Sequence, residues 1–284
     1  LYDEDGNMNW ENRTWLNPLA NLEGTYRSKA SNLVGNARIG YRVLEDLEVS
    51  ANLGYTETHI KEINTLPSTR YAPPFGNNTN FSSARHNLGQ RSSWVLEPQL
   101  SWSPKLGDTR FNVLLGMTFQ GREDARVSES ASAFATNSLI ENRAAASFLS
   151  IIADMYEEYR YQAVYGRLNL NHKGRYILNL TGRRDGSSRF GPSKRFSNFG
   201  AVGTAWVFSN ENFVTNGMPW LSFGKLRGSY GTTGSDQIGD YGYLDAYEVT
   251  RGPSGLYPTQ LFNPDYSWET NKKLELEGRF CHSN

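Results

Sequence analysis

The stretch "LEVSANLGYTET", residues 47–58, alternates apolar and polar side chains over nearly its whole length. The apolar set is Leu47, Val49, Ala51, Leu53 and Tyr55, and the polar set is Glu48, Ser50, Asn52, Gly54 and Thr56. Side chains of a β-strand point alternately to its two faces, so this period predicts a strand with one apolar and one polar face. The tight "LED" at 44–46 joins it to residues 31–43 and predicts a hairpin.

The same alternation recurs along the chain and predicts nine strands. They cover 31–43, 47–58, 92–103, 109–120, 160–171, 175–185, 196–208, 221–233 and 268–280. Globular strands average roughly 5 to 6 residues, whereas a tilted strand needs roughly 9 to 11 to cross a bilayer. The predicted strands have the longer length, which favours a membrane β-barrel.

Connection lengths support that interpretation. Tight or short connections at 44–46, 104–108 and 172–174 alternate with long ones at 61–88, 122–158 and 234–267. Outer-membrane barrels have short turns on one side and long loops on the other. The sequence therefore predicts an all-β fold, an antiparallel transmembrane β-barrel segment.

Two stretches depart from the alternation. The alanine-rich residues 130–152 predict a short helix within a long loop. Pro98 falls inside a predicted strand, where the ladder loses a donor.

The alternative fold is a soluble all-β module that binds carbohydrate or has a structural role. The two folds differ in what covers one apolar face of the third and fourth predicted strands. That face carries Trp94, Leu96, Leu100, Trp102, Phe111, Val113, Leu115, Met117 and Phe119. A membrane barrel leaves these side chains exposed to lipid, whereas a sandwich buries them against a second sheet.

Composition narrows the function classes. The 284 residues carry 29 basic and 29 acidic side chains, so no overall cationic field favours nucleic acid. The single cysteine, Cys281, excludes an internal disulfide. No stretch is apolar for the 18 or more residues of a membrane helix. The four histidines are far apart, and enzyme motifs such as GxSxG and HExxH are absent, so no catalytic, metal or cofactor site is predicted.

The run "RRDGSSRFG", residues 183–191, combines cations with glycines and serines. A phosphate cradle requires a helix after the glycines, and here a strand pattern follows, so we expect a structural corner. Gly186 and Gly191 would permit the turn. Arg189, Lys194 and Arg195 would lie at the extracellular rim, balanced by lipid headgroups or by carboxylates such as Asp185.

Faces and loops give the remaining site predictions. On the strand before the corner, Asn179, Thr181, Arg183 and Asp185 are expected toward the lumen, and Leu178 and Leu180 toward lipid. The loop "SDQIGDYGYLDAY", residues 235–247, interleaves acids with tyrosines, a pattern suited to stacking on sugars or peptides at a pore mouth. The alternative is a surface loop of ordinary composition. The candidate substrate-loop residues are Asp236, Gln237, Asp240, Tyr241 and Tyr243.

Several runs together resemble the SusC/RagA family of TonB-dependent outer-membrane transporters. The most specific is Arg183, Arg184, Asp185, Gly186, Ser187, Ser188, Arg189, Phe190 and Gly191. Others are "FSNFGAVGTAWVFSNENF" at 196–213, "WLSFGKLRGSYGTTGSDQIGDYGY" at 220–243 and "NPDYSWETNKKLELEGRF" at 263–280. The resemblance covers nearly all the chain.

The resemblance implies a plugged barrel of about 22 strands. It implies an outer-membrane protein that imports oligosaccharides or peptides with a SusD-like lipoprotein, driven by the TonB-ExbB-ExbD system. It implies no enzyme activity and no cofactor. Because no plug sequence is recognised, we expect a fragment, with 1–280 in the barrel domain and 281–284 a candidate tail outside the family sequence.

Overall fold

The computed structural model describes residues 1–218, 220–249 and 255–282. Within them the strands are β1 (Thr25–Leu44), β2 (Leu47–Leu66), β3 (Ser83–Trp102), β4 (Lys105–Leu106), β5 (Thr109–Phe134), β6 (Ala146–His172), β7 (Tyr176–Ser187), β8 (Phe196–Trp206), β9 (Leu221–Ser235), β10 (Ala246–Val249), β11 (Leu256–Gln260) and β12 (Glu269–His282). One α-helix, α1, spans Asn212–Gly217. Short 3-10 turns occupy Glu11–Arg13, Pro18–Leu22, Ser68–Arg70, Phe75–Asn77, Thr79–Phe81, Asn137–Leu139, Arg143–Ala145 and Phe208–Asn210.

The long strands form one sheet in chain order, β1-β2-β3-β5-β6-β7-β8-β9-β12. The short β4 pairs with β5, and β10 pairs with β11 in a separate two-stranded sheet. The pairs β6–β7, β7–β8, β8–β9 and β9–β12 are all antiparallel. All nine predicted strands are therefore present, and the prediction of an antiparallel all-β fold is confirmed.

Strand length was underestimated for five strands. β1, β2 and β3 each have 20 residues, β5 has 26 and β6 has 27. The loops predicted at 61–88 and 122–158 shrink to 67–82 and 135–145. Beyond the apolar alternation the strands continue with polar residues on both faces, as in "ETHIKEIN" at 57–64, and pairing with neighbours maintains them there. β3 runs unbroken through Pro98.

The predicted helix within 130–152 is wrong. β5 extends to Phe134, two 3-10 turns follow, and β6 begins at Ala146. The alanines pack instead of forming a helix: Ala84, Ala131, Phe134 and Ile140 form a buried cluster, with Ala145 and Ala146 against it. Their small side chains permit close approach of neighbouring segments.

Contacts divide the chain into two compact units. Unit 1 comprises 1–34, 55–93 and 123–157, and unit 2 comprises 35–54, 94–122 and 158–284. The apolar cluster around Phe134 is the core of unit 1. Unit 2 buries Phe190, Phe199, Val207 and Val214.

The two faces of the sheet differ as the alternation predicted. Leu168 pairs with Leu180 and Leu170 with Leu178, while Asn169 pairs with Asn179 on the opposite face. Of the nine apolar side chains that separate the two candidate folds, none is buried, and Leu115 is 51% exposed. A sandwich would cover that face, so the exposure of these side chains favours the barrel over the sandwich. Among the described residues, no helix combines the length and apolar character needed to cross a membrane.

The predicted boundary between the barrel domain and the tail, after residue 280, falls within β12. Cys281 and His282, the first residues of the predicted tail, continue β12 and pair with Phe223 and Leu221 of β9. Residues 283–284 lie outside the described part of the chain. The assignment of 281–284 to a separate tail remains a prediction.

Candidate functional site

The family-signature run begins with an ion pair on one face of β7. Arg183 Nε donates to Asp185 Oδ1 at 2.8 Å, and Arg183 Nη2 donates to the Tyr161 hydroxyl at 2.6 Å. Asp185 is buried and Arg183 is half-exposed. Period-two alternation places both side chains on one face, as predicted.

Ser187, the last residue of β7, contacts the loop that follows β9. Asp236 Oδ2 accepts hydrogen bonds from Ser187 Oγ at 2.8 Å and from the Tyr159 hydroxyl at 2.7 Å. A buried carboxylate requires such donors to offset its lost hydration. The three side chains therefore fasten the start of the 236–245 loop to β6 and β7.

Arg189 makes the second attachment to the same loop. Its Nε donates to Asp240 Oδ1 at 2.8 Å, and its Nη1 donates to the Asp236 carbonyl oxygen at 2.9 Å. Arg122 Nη2 donates to the other oxygen of Asp240 at 2.7 Å. The Arg189 guanidinium also lies 4.6 Å from the centroid of the Tyr159 ring, within cation–π range. We call Tyr159, Ser187, Arg189, Asp236 and Asp240 the signature network.

The carboxylate partners of Arg189 differ from the predicted one. Its side chain is only 15% exposed, and Asp240 and Asp236 balance its charge instead of Asp185. Lys194 is exposed and Arg195 is half-buried. The position of these three side chains at the extracellular rim remains a prediction. Sequence spacing could not reveal the partners of Arg189, because both acids lie about 50 residues away on another connection.

Apolar contacts complete the corner. Phe190 is fully buried, and its ring centroid lies 5.2 Å from that of Trp268. The Trp268 indole donates to the Arg195 carbonyl oxygen at 3.2 Å.

The glycines of the corner serve close approach. A Cβ on Gly186 would lie 2.5 Å from the Phe196 ring, and one on Gly191 would lie 3.3 Å from Tyr243. Neither glycine has a positive φ. Gly191 begins a turn, because its carbonyl oxygen accepts from the Lys194 amide at 3.0 Å, and both glycines also leave room for a neighbouring ring.

Burial and nearby charges shift the pKa values of two side chains in the signature network and of Tyr161 beside it. Burial, with the hydrogen bond to Asp236, raises the pKa of the Tyr159 hydroxyl. Burial, with the charge of Asp185, raises the pKa of Tyr161 to about 12. Burial lowers the pKa of the Arg189 guanidinium, but its hydrogen bond to Asp240 and the two nearby carboxylates outweigh this and raise that pKa. These shifts keep the tyrosines neutral and the arginine charged.

The predicted substrate-loop residues divide into two groups. Asp236 and Asp240 are engaged in the signature network. The Tyr241 hydroxyl accepts from the Glu158 amide at 2.9 Å, and Tyr243 packs near Phe262. The backbone N–H of Gln237 donates to Ser235 Oγ at 3.3 Å. Their role in substrate binding remains a prediction.

A polar groove of about 750 Å³ lies beside the signature network in unit 2. Its lining combines carboxylates, hydroxyls, amides and aromatic rings. The lining includes Glu97, Thr118, Gln120, Tyr159, Tyr161, Tyr165, Arg183, Asp185 and Trp268. We call this the inner groove.

Hydrogen bonds orient several side chains in the inner groove. Gln99 Nε2 donates to the Tyr165 hydroxyl at 2.9 Å, and Thr118 Oγ1 donates to Glu97 Oε1 at 3.2 Å. Gly116 leaves room for the Tyr165 ring, because a Cβ there would lie 2.5 Å from it. Sequence analysis did not single out these residues, although Glu97, Gln99 and Thr118 occupy polar positions of the alternation in β3 and β5.

The lining of the groove carries groups of the kinds that bind ligands. Aromatic faces stack on sugar or peptide groups, and fixed hydrogen-bonding groups set orientation. In the described part of the chain, no cluster of three or more His, Cys, Asp or Glu side chains is placed to hold a metal ion.

Comparison with known proteins gives relatives over most of the chain, although no family model matches it. TonB-dependent receptor P26 of Formosa agariphila is 27% identical across 97% of the chain. TonB-dependent receptor SusC of Bacteroides thetaiotaomicron is 27% identical across 89%. These relatives are named as receptors, in agreement with the prediction that the chain is not an enzyme. The chain spans 29% and 26% of their lengths.

Solved structures show the same fold. The RagAB peptide transporter aligns with 94% of the chain and 30% of its own, with a TM-score of 0.81 and 21% identity. The RagAB peptide importer in its open-open state also aligns with a TM-score of 0.81, at 22% identity. The chain is therefore a homologue of the TonB-dependent receptors, SusC among them, and its strands have the fold of part of the RagAB structure.

Proposed function

We propose that this chain forms part of the barrel wall of an outer-membrane TonB-dependent transporter of SusC/RagA type. The transporter imports oligosaccharides or peptides with a SusD-like lipoprotein, and the TonB-ExbB-ExbD system supplies its energy. The observation that carries the proposal is the contrast between the two sheet faces: one is apolar and exposed, and the other is polar. Lipid contact on one face and a hydrated lumen on the other require that contrast.

Strand length and turn position support the same placement. About ten residues from each short turn suffice to cross a bilayer, which assigns 47–56 of β2 and 163–172 of β6 to the membrane. β2 and β6 continue well past these segments. The extra length projects on the side of the long connections, which is extracellular in such barrels.

The inner groove supports binding of a polar, extended substrate. Tyr161, Tyr165 and Trp268 offer ring faces, while Glu97 and Arg183 offer charges of both signs. Sugars use the rings and hydroxyls, and peptides also use the charges. Both substrate classes fit the lining of the inner groove, and the structurally similar RagAB transporter is named for peptides.

Spin labels test the membrane placement. In the full-length protein, Cys281 is first replaced by serine, and then Leu115→Cys and Thr118→Cys are made separately in β5 and labelled. In lipid vesicles we expect the label at 115 to collide more with dissolved oxygen and the label at 118 more with a water-soluble nickel chelate. Equal accessibility at the two positions would contradict the proposal.

Uptake tests the transport function. Cells with and without the gene are given labelled oligosaccharides and labelled peptides, before and after a protonophore. We expect gene-dependent uptake of one class that stops when the proton gradient is lost. Uptake that is unchanged by gene deletion would contradict the proposal.

A further inference from the structure

A second groove, of about 360 Å³, lies within unit 1. Its polar lining includes Lys29 and Ser31 of β1, His59 and Lys61 of β2, and Gln90 of β3. We call it the cationic groove. It shares no lining residue with the inner groove.

The cationic groove lies on the apolar face of the sheet. His59 and Lys61 are an even number of residues from Leu53 and Tyr55, so β-strand alternation places all four on one face of β2. Leu53 and Tyr55 are both exposed. The groove therefore opens on the side assigned to lipid.

The two lysines lack acidic partners. Among the described residues, neither Lys29 nor Lys61 has an ion pair or a side-chain hydrogen bond, and both are exposed. Glu57, the acid beside them on β2, has other partners. Its oxygens accept from the Tyr55 hydroxyl at 3.2 Å and from Gln90 Nε2 at 3.2 Å, and His59 Nε2 lies 2.9 Å away.

Distance along β2 sets the depth of the groove. With 47–56 in the hydrocarbon, His59 and Lys61 lie three and five residues beyond it, on the order of 10 to 16 Å at the rise of a strand. Tyr55 marks the boundary, where aromatic rings favour the membrane interface. The groove is thus level with the headgroups of the leaflet nearer the long connections.

We propose that the cationic groove binds a phosphate group of a lipid headgroup in the outer leaflet. The proposal rests on the membrane placement given above. Lysine ammonium groups bind phosphate as point charges, and Ser31 can donate a further hydrogen bond. The apolar surface next to the groove holds the acyl chains of the same lipid.

The test uses the full-length protein in detergent and the double variant Lys29→Gln with Lys61→Gln. The matched control is Lys105→Gln with Lys194→Gln, which removes the same charge from exposed lysines outside the groove. Native mass spectrometry measures binding of dihexanoyl phosphatidic acid, with dihexanoyl phosphatidylcholine and inorganic phosphate as the other probes.

We expect the groove variant to bind phosphatidic acid about thirtyfold more weakly, while the control binds like the wild type. Equal binding by the groove variant and the wild type would overturn the proposal. If inorganic phosphate competes for the groove as well as phosphatidic acid does, the assignment of the bound phosphate to a lipid headgroup would be overturned. Spin-label accessibility in vesicles tests the membrane placement, and lipid binding tests the cationic groove. The two measurements therefore distinguish failure of the proposed function from failure of this site.

Discussion

Two connections between long strands are fixed by different forces. Residues 188–195, between β7 and β8 in unit 2, are held by the buried charges and hydrogen bonds of the signature network. Residues 135–145, between β5 and β6 in unit 1, are held by the apolar cluster around Phe134. There the ion pairs Arg143–Glu129 and Arg27–Glu141 lie nearer the surface.

The difference shows where charge contributes to stability. An arginine that is 15% exposed facing an aspartate that is 6% exposed is poorly screened, so loss of Arg189 leaves the carboxylate of Asp240 with Arg122 as its remaining cationic partner. Arg143 is 43% exposed, and water and salt weaken its attraction to Glu129. The stability of residues 188–195 should therefore depend on pH and on the removal of charges. The stability of residues 135–145 should depend on the volume of the buried apolar side chains.

Removal of the Phe134 side chain should have the largest effect. The side chain is fully buried, and Phe134→Ala loses both its transfer free energy and its packing, about 3–5 kcal/mol of unfolding free energy. Urea unfolding of the full-length protein in lipid vesicles measures the change. The control is Phe148→Ala, at an exposed position of β6, which should change stability by less than about 1 kcal/mol. Equal losses in the two variants would refute the apolar account of this connection.

Arg189→Ala should destabilise the other connection by about 2–4 kcal/mol, because Asp240 and Asp236 lose the cation that bridges them and Asp240 keeps only Arg122. Assembly, followed by heat-modified migration on gels, should be impaired. Substrate preference of the assembled fraction should stay unchanged. A variant that assembles normally but changes its preferred substrate would contradict a structural role.

Alkaline pH should weaken the contacts around Tyr161, Arg183 and Asp185. The pKa of Tyr161 is raised to about 12 by burial and by Asp185, so folding favours the neutral phenol. This stabilisation is complete below the usual tyrosine pKa of about 10 and is lost as pH rises toward about 12. Tyr161→Phe should flatten that part of the stability profile. Identical slopes for variant and wild type between those pH values would rule out the assignment.

Acidic pH should act on unit 1 through His86. Burial, reinforced by Arg143, lowers the pKa of this imidazole, so folding favours its neutral form. The contribution is present above the usual histidine pKa of about 6.5 and is lost as pH falls through the folded value. His86→Leu should make stability less sensitive to pH below about 6.5. Chemical denaturation at pH 5 and pH 7.5 checks this, and an unchanged pH dependence would argue against it.

Arg143→Ala should have the smallest effect, below about 1 kcal/mol, because its ion pair with Glu129 is partly hydrated. The difference from wild type should disappear in high salt. Unfolding midpoints at low and high salt provide the measurement. A loss as large as that of Arg189→Ala would remove the contrast between the two connections.

Alternation in the sequence was sufficient to predict the nine long strands, their antiparallel order and their two faces. It could not predict the extension of β5 to Phe134 or of β6 from Ala146, because those segments lack a regular apolar period. The partners of Arg189 were also inaccessible, since Asp236 and Asp240 approach it only through the packing of two connections. Glu97 and Thr118 were predictable as polar-face positions, but their hydrogen bond depends on register.

The chain-order pairing of the long strands has a consequence for the rate of folding. Each long strand hydrogen-bonds to the next long strand in sequence, so no pairing must wait for a distant segment. The entropy lost in each closure is that of a single connection, which is greatest between β9 and β12. The sheet can therefore grow by successive addition of hairpins, and slowing of the β9–β12 closure should delay the pairing of β12 but not of the strands before it.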